Sequence, residues 1–430
     1  MAMAAAAPAF IMLLAFATRF GLAFAANVDQ RAEFAFDPSA YDFLARVLAG
    51  LGVYIGYDLA PTALFAPGYP FVLALHYRLF GDGLPVAWTL NASCGALAAL
   101  FIYLIGVRTA GRRVGAIAAT LFALAPGNVF YSVTTLTEPL FGAALTGALL
   151  AFMASDAAPV DRDWRWVCCG MLLGLASLVR GVGLMFLGGI AAGWWFDHGF
   201  RVAARRLAIS LCGVTLALAP WTVRNAISMG APIPIAGDAA LAFFCAHNEL
   251  ATGKAEFAHQ ALADKLWPDL RRMNNPQREV TVARRQWNHG FRHFLEHPIE
   301  DVSQIPARFA LLCDGDHTGY YALQNSRNGL MVPDPGKRRW KVLVSVAVDR
   351  AVVAVIDRAF FTLTALAAIG AIIGWRYPNV PMLVFCIVIV TSAHVALFVG
   401  DPRYHDPFVP AFSVLAAVTV DTAWRRWRAT

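Results

Sequence analysis

Apolar residues recur along this chain in continuous runs of about twenty, with arginines concentrated in alternate short connections between them. The runs lie near 8–26, 84–107, 112–129, 134–153, 164–180, 182–196, 206–222, 355–375, 380–399 and 407–424. They are continuous rather than alternating, which predicts helices and not the strands of a barrel. Hydrocarbon offers backbone N–H and C=O groups no partners, so a spanning segment must satisfy its own. The pattern predicts an all-α polytopic membrane protein with about ten transmembrane helices.

Two intervals break the pattern. In the first, 27–83, Asp37 and Pro38 suit the N-cap and first position of a helix. Tyr41, Leu44, Ala45 and Leu48 then fall on one face, which predicts an amphipathic helix over 36–52 at the membrane surface. Pro67-Gly68-Tyr69-Pro70 starts a second apolar helix, too short to span and expected in the interface. In the second interval, 223–350, helical patterns run from Thr281 to Leu295 and from Ile299 to Leu312, punctuated by His297-Pro298. They predict a small cap on the bundle. The chain thus divides into an N-terminal transmembrane module (1–222) carrying the first outer loop, a large outer loop (223–350) and C-terminal transmembrane helices (351–430).

Composition agrees. Hydrophobic residues are 58% and charged residues 15%, too apolar for a water-soluble domain. The net charge of +7 concentrates in alternate connections: Arg108, Arg112 and Arg113; Arg162 and Arg165; Arg201, Arg205 and Arg206; Arg376; then Arg425, Arg426 and Arg428. Basic short loops face the cytoplasm. Both termini are therefore expected inside an inner (plasma) membrane, with both long loops on the periplasmic or extracellular side. Orientation accounts for the charge without nucleic acid. Ala23-Phe24-Ala25 resembles a signal cleavage site, but no basic residue precedes the run and Arg19 interrupts it. A retained first helix is expected, with Arg19 snorkelling or facing the bundle. The seven cysteines lack metal-ligand spacing. Cys245 and Cys313 share the large loop, where a disulfide is permitted.

Asp37 is the first candidate for chemistry. An Asp before Pro at a helix start is an ordinary cap, and the residues alone leave capping and catalysis equally open.

The motifs decide more when taken in order. D-x-x-x-Y-x-x-L-A at Asp37, Tyr41, Leu44 and Ala45 precedes P-G-Y-P at 67–70 and L-F-G at 79–81. T-E-P-L-F follows at 137–141, A-P-W-T-V-R-N at 219–225, H-F-L-E-H-P at 293–298 and G-D-P-R-Y-H-D-P at 400–407. This ordered set resembles the GT-C superfamily of membrane glycosyltransferases, nearest to protein O-mannosyltransferases and the aminoarabinose transferase of lipid A. The resemblance implies transfer of a sugar from a polyprenyl-phosphate-linked donor to an acceptor hydroxyl of a glycan, lipid or protein. Asp37 matches the family's essential carboxylate and would act as general base. A cation must meet the leaving phosphate, and an Arg fork suits it. Arg403, with Tyr404 beside it, matches the RY motif; Arg224 and Arg180 are further candidates, each with boundary snorkelling as its alternative. Glu138 is a second site carboxylate or a partner for an Arg. Tyr41, Asp42, Tyr69 and His405 are candidate acceptor or sugar contacts. Tyr54, Tyr57, Asp406, His247, Asn248 and Glu249 are weaker ones. Many relatives place two adjacent acids in the first loop. Here Pro38 follows Asp37 and the next acid is Asp42, so a divalent cation stays open. A secondary transporter or flippase of a lipid-linked sugar and a non-catalytic subunit of a cell-envelope complex are the alternatives. A transporter should bury ionisable groups at the midplane and show repeated halves; no repeat is visible.

Overall fold

The computed structural model describes residues 2–26, 36–158, 160–254, 257–321, 323, 332–333, 340–341 and 346–430. Every apolar run forms a helix. They are α1 (Ala2–Ala26), α4 (Leu84–Ala110), α5 (Arg112–Ala123), α7 (Glu138–Asp156), α8 (Asp163–Val179), α9 (Phe186–His198), α10 (Phe200–Met229), α16 (Val346–Ile373), α17 (Val380–Leu397) and α18 (Val409–Ala429). The first outer loop contributes α2 (Phe36–Leu51) and α3 (Gly68–Phe80), and the six-residue α6 (Pro126–Tyr131) precedes α7. The large loop contributes α11 (Asp238–Ala246), α12 (Phe257–Leu266), α13 (Gln277–Glu296), α14 (Pro298–Ser303) and α15 (Ile305–Leu312). Two strands of two residues, Val332–Pro333 and Trp340–Lys341, pair antiparallel. Among the described residues, seven helices are long and apolar enough to cross a membrane alone. α5 and α9 are shorter than the runs suggested, because α5 stops before Pro126 and a 3-10 turn at Gly181–Met185 takes the start of the sixth run.

The centre of the bundle is α4 and α18, whose small residues let neighbours approach on several sides; Ala99, Ile102, Ala416 and Ala417 are fully buried. α4 packs on α1, α5 and α7, α8 on α10, α9 on α17, and α16 on α18. Gly111, at φ +97°, is the whole connection between α4 and α5, a conformation that Gly adopts without strain. Two helices then lie almost in backbone contact. A Cβ at Gly170 would stand 2.0 Å from the Ser210 carbonyl oxygen, and one at Gly213 would stand 2.0 Å from that of Val167. In lipid, where apolar burial does not drive helices together, such close approach is the main source of affinity. Gly170→Leu is therefore expected to separate α8 from α10 and to cost about 1–3 kcal/mol or more. Thermal unfolding in detergent with an unchanged midpoint would contradict this.

Arg19 does not snorkel. It is 1% exposed and crosses to α5, donating to the carbonyls of Ala123 (3.1 Å) and Phe122 (3.4 Å) and to Asn128 Oδ1 (2.6 Å). It caps the last turn of α5, and Gly95 leaves room for it: a Cβ there would be 2.3 Å from its side chain. Cys245, buried in α11, and Cys313, exposed after α15, are both free thiols, so the candidate disulfide is not formed.

The two outer loops hold each other. The strip 62–64 receives Arg224, which donates to the Thr62 carbonyl at 2.7 Å. Glu279 of α13 accepts from the Ala63 amide and the Thr62 hydroxyl, both at 2.8 Å. The amides of Gly237 and Asp238 donate to the carbonyls of Ala63 (2.8 Å) and Leu64 (3.2 Å). This lacing fixes the start of α11 over the first outer loop.

Candidate functional site

Asp37 is the second residue of α2, and its position is set from below. Asn91 of α4 donates to the carbonyls of Ser132 (3.2 Å) and Thr134 (2.8 Å), fixing the segment before α7. Thr135 on that segment donates to the Pro38 carbonyl at 2.7 Å. Glu138 opens α7, Arg180 follows α8, and Arg403 lies in the 3-10 turn Pro402–Phe408 before α18. The first turn of α2 and three bundle elements thus converge.

Arg403 bridges two carboxylates. Its Nη1 pairs with Asp37 Oδ2, its Nε pairs with Glu138 Oε1, and its Nη2 lies 3.4 Å from Glu138 Oε2. Arg180 Nη1 stands 2.6 Å from Glu138 Oε1. Exposure falls steadily across the group: 33% for the Asp37 side chain, 21% for Arg403, 11% for Arg180 and 0% for Glu138. Asp37 and Arg403 face open space. Glu138 does not, so it orients the two guanidinium groups and offsets their charge. A fixed anion behind two cations aims the forks outward without letting them fold back on each other.

The structure separates the remaining candidates. Arg224 is away from this group: it braces Thr62 and Tyr54 in the first outer loop and lies over the Tyr54 and Trp221 rings. Asp42 is 5% exposed and saturated, accepting from Tyr77 Oη at 2.5 Å and Arg46 Nε at 2.7 Å. Tyr69 is fully buried and donates to Asn91 Oδ1 at 3.0 Å. His405 is turned inward, with Nδ1 2.8 Å from the Leu312 carbonyl, Nε2 3.2 Å from Asp316 Oδ1 and its ring stacked on Phe360. Tyr404 leans on His394, ring centroids 4.5 Å apart. His247 is buried against Asp301 at 2.9 Å. Tyr41 is 7% exposed and meets Phe65 and Tyr69 edge-on; burial, then Asp37, hold its phenol well above the ordinary range. It stays a neutral donor beside Asp37.

One residue escaped the sequence reading. Asp238 opens α11, laced over the first loop as described, and faces the field of Asp37, Tyr41, Arg180 and Arg403. Ala240, Phe243 and Phe244 behind it are buried, whereas the Asp238 side chain keeps accessible surface. Burial, then the charge of Asp37, push its carboxyl up to about 6. The signal available in the sequence was Gly237-Asp238 before an apolar run, a common helix start.

A raised acid is a stability cost present when the group ionises, growing between its unfolded and folded values. The thermal midpoint of Asp238→Asn should exceed that of the parent by a small margin that grows from pH 4 to pH 7 and then stays level, at about 1–2 °C, because solvent at this exposed group screens part of the effect. A margin independent of pH would remove the coupling between Asp238 and Asp37.

Among the described residues, no three His, Cys, Asp or Glu side chains gather as metal ligands. Asp37 Oδ2 and both Glu138 oxygens face guanidinium groups.

Residues 60–223, less than half of the chain, match the family model of dolichyl-phosphate-mannose-protein mannosyltransferase. No curated protein matches the chain. Among solved structures, the oligosaccharyltransferase AglB of Archaeoglobus fulgidus, in complex with an inhibitory peptide and a dolichol-phosphate, is 16% identical, with a TM-score of 0.54 over 99% of this chain and 51% of its own. The chain therefore spans about half the length of that protein. Its apo form gives a TM-score of 0.52 at 16% identity, over 99% of this chain and 51% of its own. ArnT of Cupriavidus metallidurans, bound to undecaprenyl phosphate, is 14% identical, with a TM-score of 0.45 over 97% of this chain and 77% of its own. The chain thus shares its all-helical fold with AglB, and its segment 60–223 is similar to the dolichyl-phosphate-mannose-protein mannosyltransferases.

Proposed function

We propose that the protein transfers a sugar from a polyprenyl-phosphate-linked donor to an acceptor hydroxyl on the outer face of the membrane. The observation that carries this is Arg403, held between an accessible Asp37 and a sealed Glu138. The acceptor oxygen attacks the anomeric carbon while the bond from that carbon to the phosphate oxygen breaks. The acceptor proton passes to Asp37. The bonding electron pair leaves with polyprenyl phosphate, and the Arg403 fork, with Arg180 behind it, meets the charge that develops there. A lipid phosphate is a stable anion, so its departure needs no acid. One displacement inverts the configuration. The alternating basic connections put this chemistry on the periplasmic or extracellular side, with both termini in the cytoplasm.

Asp238, within the field of Asp37, supplies a further acceptor contact in this reading. Sealed Glu138, saturated Asp42 and inward His405 have no part in contacting substrate.

The test is a purified-protein assay with a panel of polyprenyl-phosphate sugars and acceptor glycans, lipids and peptides, read by release of polyprenyl phosphate. Release with at least one donor, lost in Asp37→Asn, is the expected result. No release across the panel, with the protein folded, would sink the proposal.

A further inference from the structure

The cap carries a surface that water does not suit. From Val302 to Cys313 the sequence holds one charged residue, Arg308. The side chains exposed over that stretch are Val302, Ser303, Pro306, Ala307, Phe309, Ala310 and Cys313, with Phe309 at 49% and Val302 at 59%. Ile299, just before it, is 85% exposed. The helices here are short, so the stretch does not read as a span by length. An apolar surface of this kind needs an occupant.

The depth of the stretch is fixed by its one charge. Arg308 is fully buried and donates to the carbonyls of Val395 (3.2 Å), Ala396 (3.3 Å) and Ala246 (2.5 Å). Val395 and Ala396 belong to the last turn of α17, a membrane span of 18 residues. At about 1.5 Å per residue such a helix just covers the hydrocarbon, so its last turn marks the boundary. Arg308 thus satisfies orphan carbonyls there and complements the helix dipole. His247 adds a second tie, 3.2 Å from the Leu397 carbonyl. α15 also lies against the chain after α17: a Cβ at Gly400 would be 2.2 Å from the Arg308 carbonyl oxygen. Phe309 and its exposed neighbours are therefore level with the lipid-facing end of α17, whose Leu397 is itself 39% exposed. Charged side chains gather on the other flank, where Glu296, His297 and Glu300 are exposed.

We infer that α14 and α15 form a foot of the cap that sits in the membrane, its Ile299, Val302 and Phe309 among lipid acyl chains and the charged ends of Glu296, His297 and Glu300 at the headgroups. The occupant of the apolar surface is phospholipid, continuous with the lipid around α17. Amide hydrogen bonds continue through the break and the end of these short helices, from Gln304 to the Asp301 carbonyl, from Arg308 to that of Gln304 and from Cys313 to that of Phe309, which lessens the cost of that depth. The inference does not depend on the glycosyl-transfer reading.

The full-length protein, carrying p-benzoylphenylalanine at Ile299, Val302 or Phe309, is placed in nanodiscs of phosphatidylcholine with phosphatidylglycerol and irradiated. Intact mass should show addition of one phospholipid at each position. Leu266, exposed on the cap beside Asp264, Lys265 and Arg271, is the reference and should add none. Cross-links to another part of the chain or to a second copy, or no adduct at the three positions, would overturn the inference. So would equal lipid addition at Leu266.

Discussion

Asp37→Asn should abolish transfer while leaving the fold in place. Asn caps a helix about as well as Asp, so the start of α2 is retained. The Thr135 hydrogen bond to the Pro38 carbonyl does not involve the side chain, and Arg403 keeps its pairing with Glu138. What is lost is an oxygen able to take a proton. A positioned general base contributes about 10²–10⁴ in rate, so release of polyprenyl phosphate should fall by that factor at least. The thermal midpoint should move by no more than about 2 °C. The pair of measurements separates capping from catalysis. A folded variant with parental turnover removes Asp37 from the mechanism, and an inactive variant that has lost its midpoint returns it to a structural role.

Arg403→Lys should be nearly as damaging for a different reason. The guanidinium reaches Asp37 with one nitrogen and Glu138 with two others. An ammonium is a point charge and cannot span both while presenting a donor outward. Loss of an aimed donor at a developing charge costs about 10²–10³ in rate. Stability should fall only modestly, because Arg180 still stands 2.6 Å from Glu138. The double variant Arg180→Met/Arg403→Met is the contrast. It leaves a fully buried carboxylate with neither cation, a defect worth about 3–5 kcal/mol, and should fail to accumulate folded protein. Were the double variant as stable as Arg403→Lys, Glu138 would not be the sealed anion described here.

Much of the fold was legible because the bilayer makes hydropathy nearly decisive. Every apolar run became a helix, and the amphipathic face of α2 buries Tyr41, Leu44 and Ala45. What hydropathy could not show was length. A run registers apolar residues across a break, so α5 and the short α6 looked like one span, and the turn before α9 looked helical. The cap pattern from Ile299 to Leu312 likewise hid a break at Gln304, before Pro306. At the site, the order of motifs led to Asp37, Arg403 and Glu138, and a very short outer turn led to Arg180. Which of them meets substrate was not legible, since exposure depends on packing between residues far apart in sequence. Arg224 illustrates the limit: at the end of a span it looks like a phosphate ligand, yet backbone carbonyls 162 and 170 residues away claim it. Asp238 was missed because a Gly-Asp pair before an apolar run is an ordinary helix start, and only the lacing to Ala63 and Leu64 carries it over Asp37.

That lacing restricts how substrates can come and go. Flap-like covers open by swinging on a slack tether, but the strip at 62–64 is stitched on three sides, by Arg224, by Glu279 and by the amides of Gly237 and Asp238. The roof over Asp37 therefore moves with its floor or not at all. Under the proposed transfer, an acceptor would have to reach Asp37 without this strip swinging away, so the fixed space beside it would limit how bulky an acceptor is admitted.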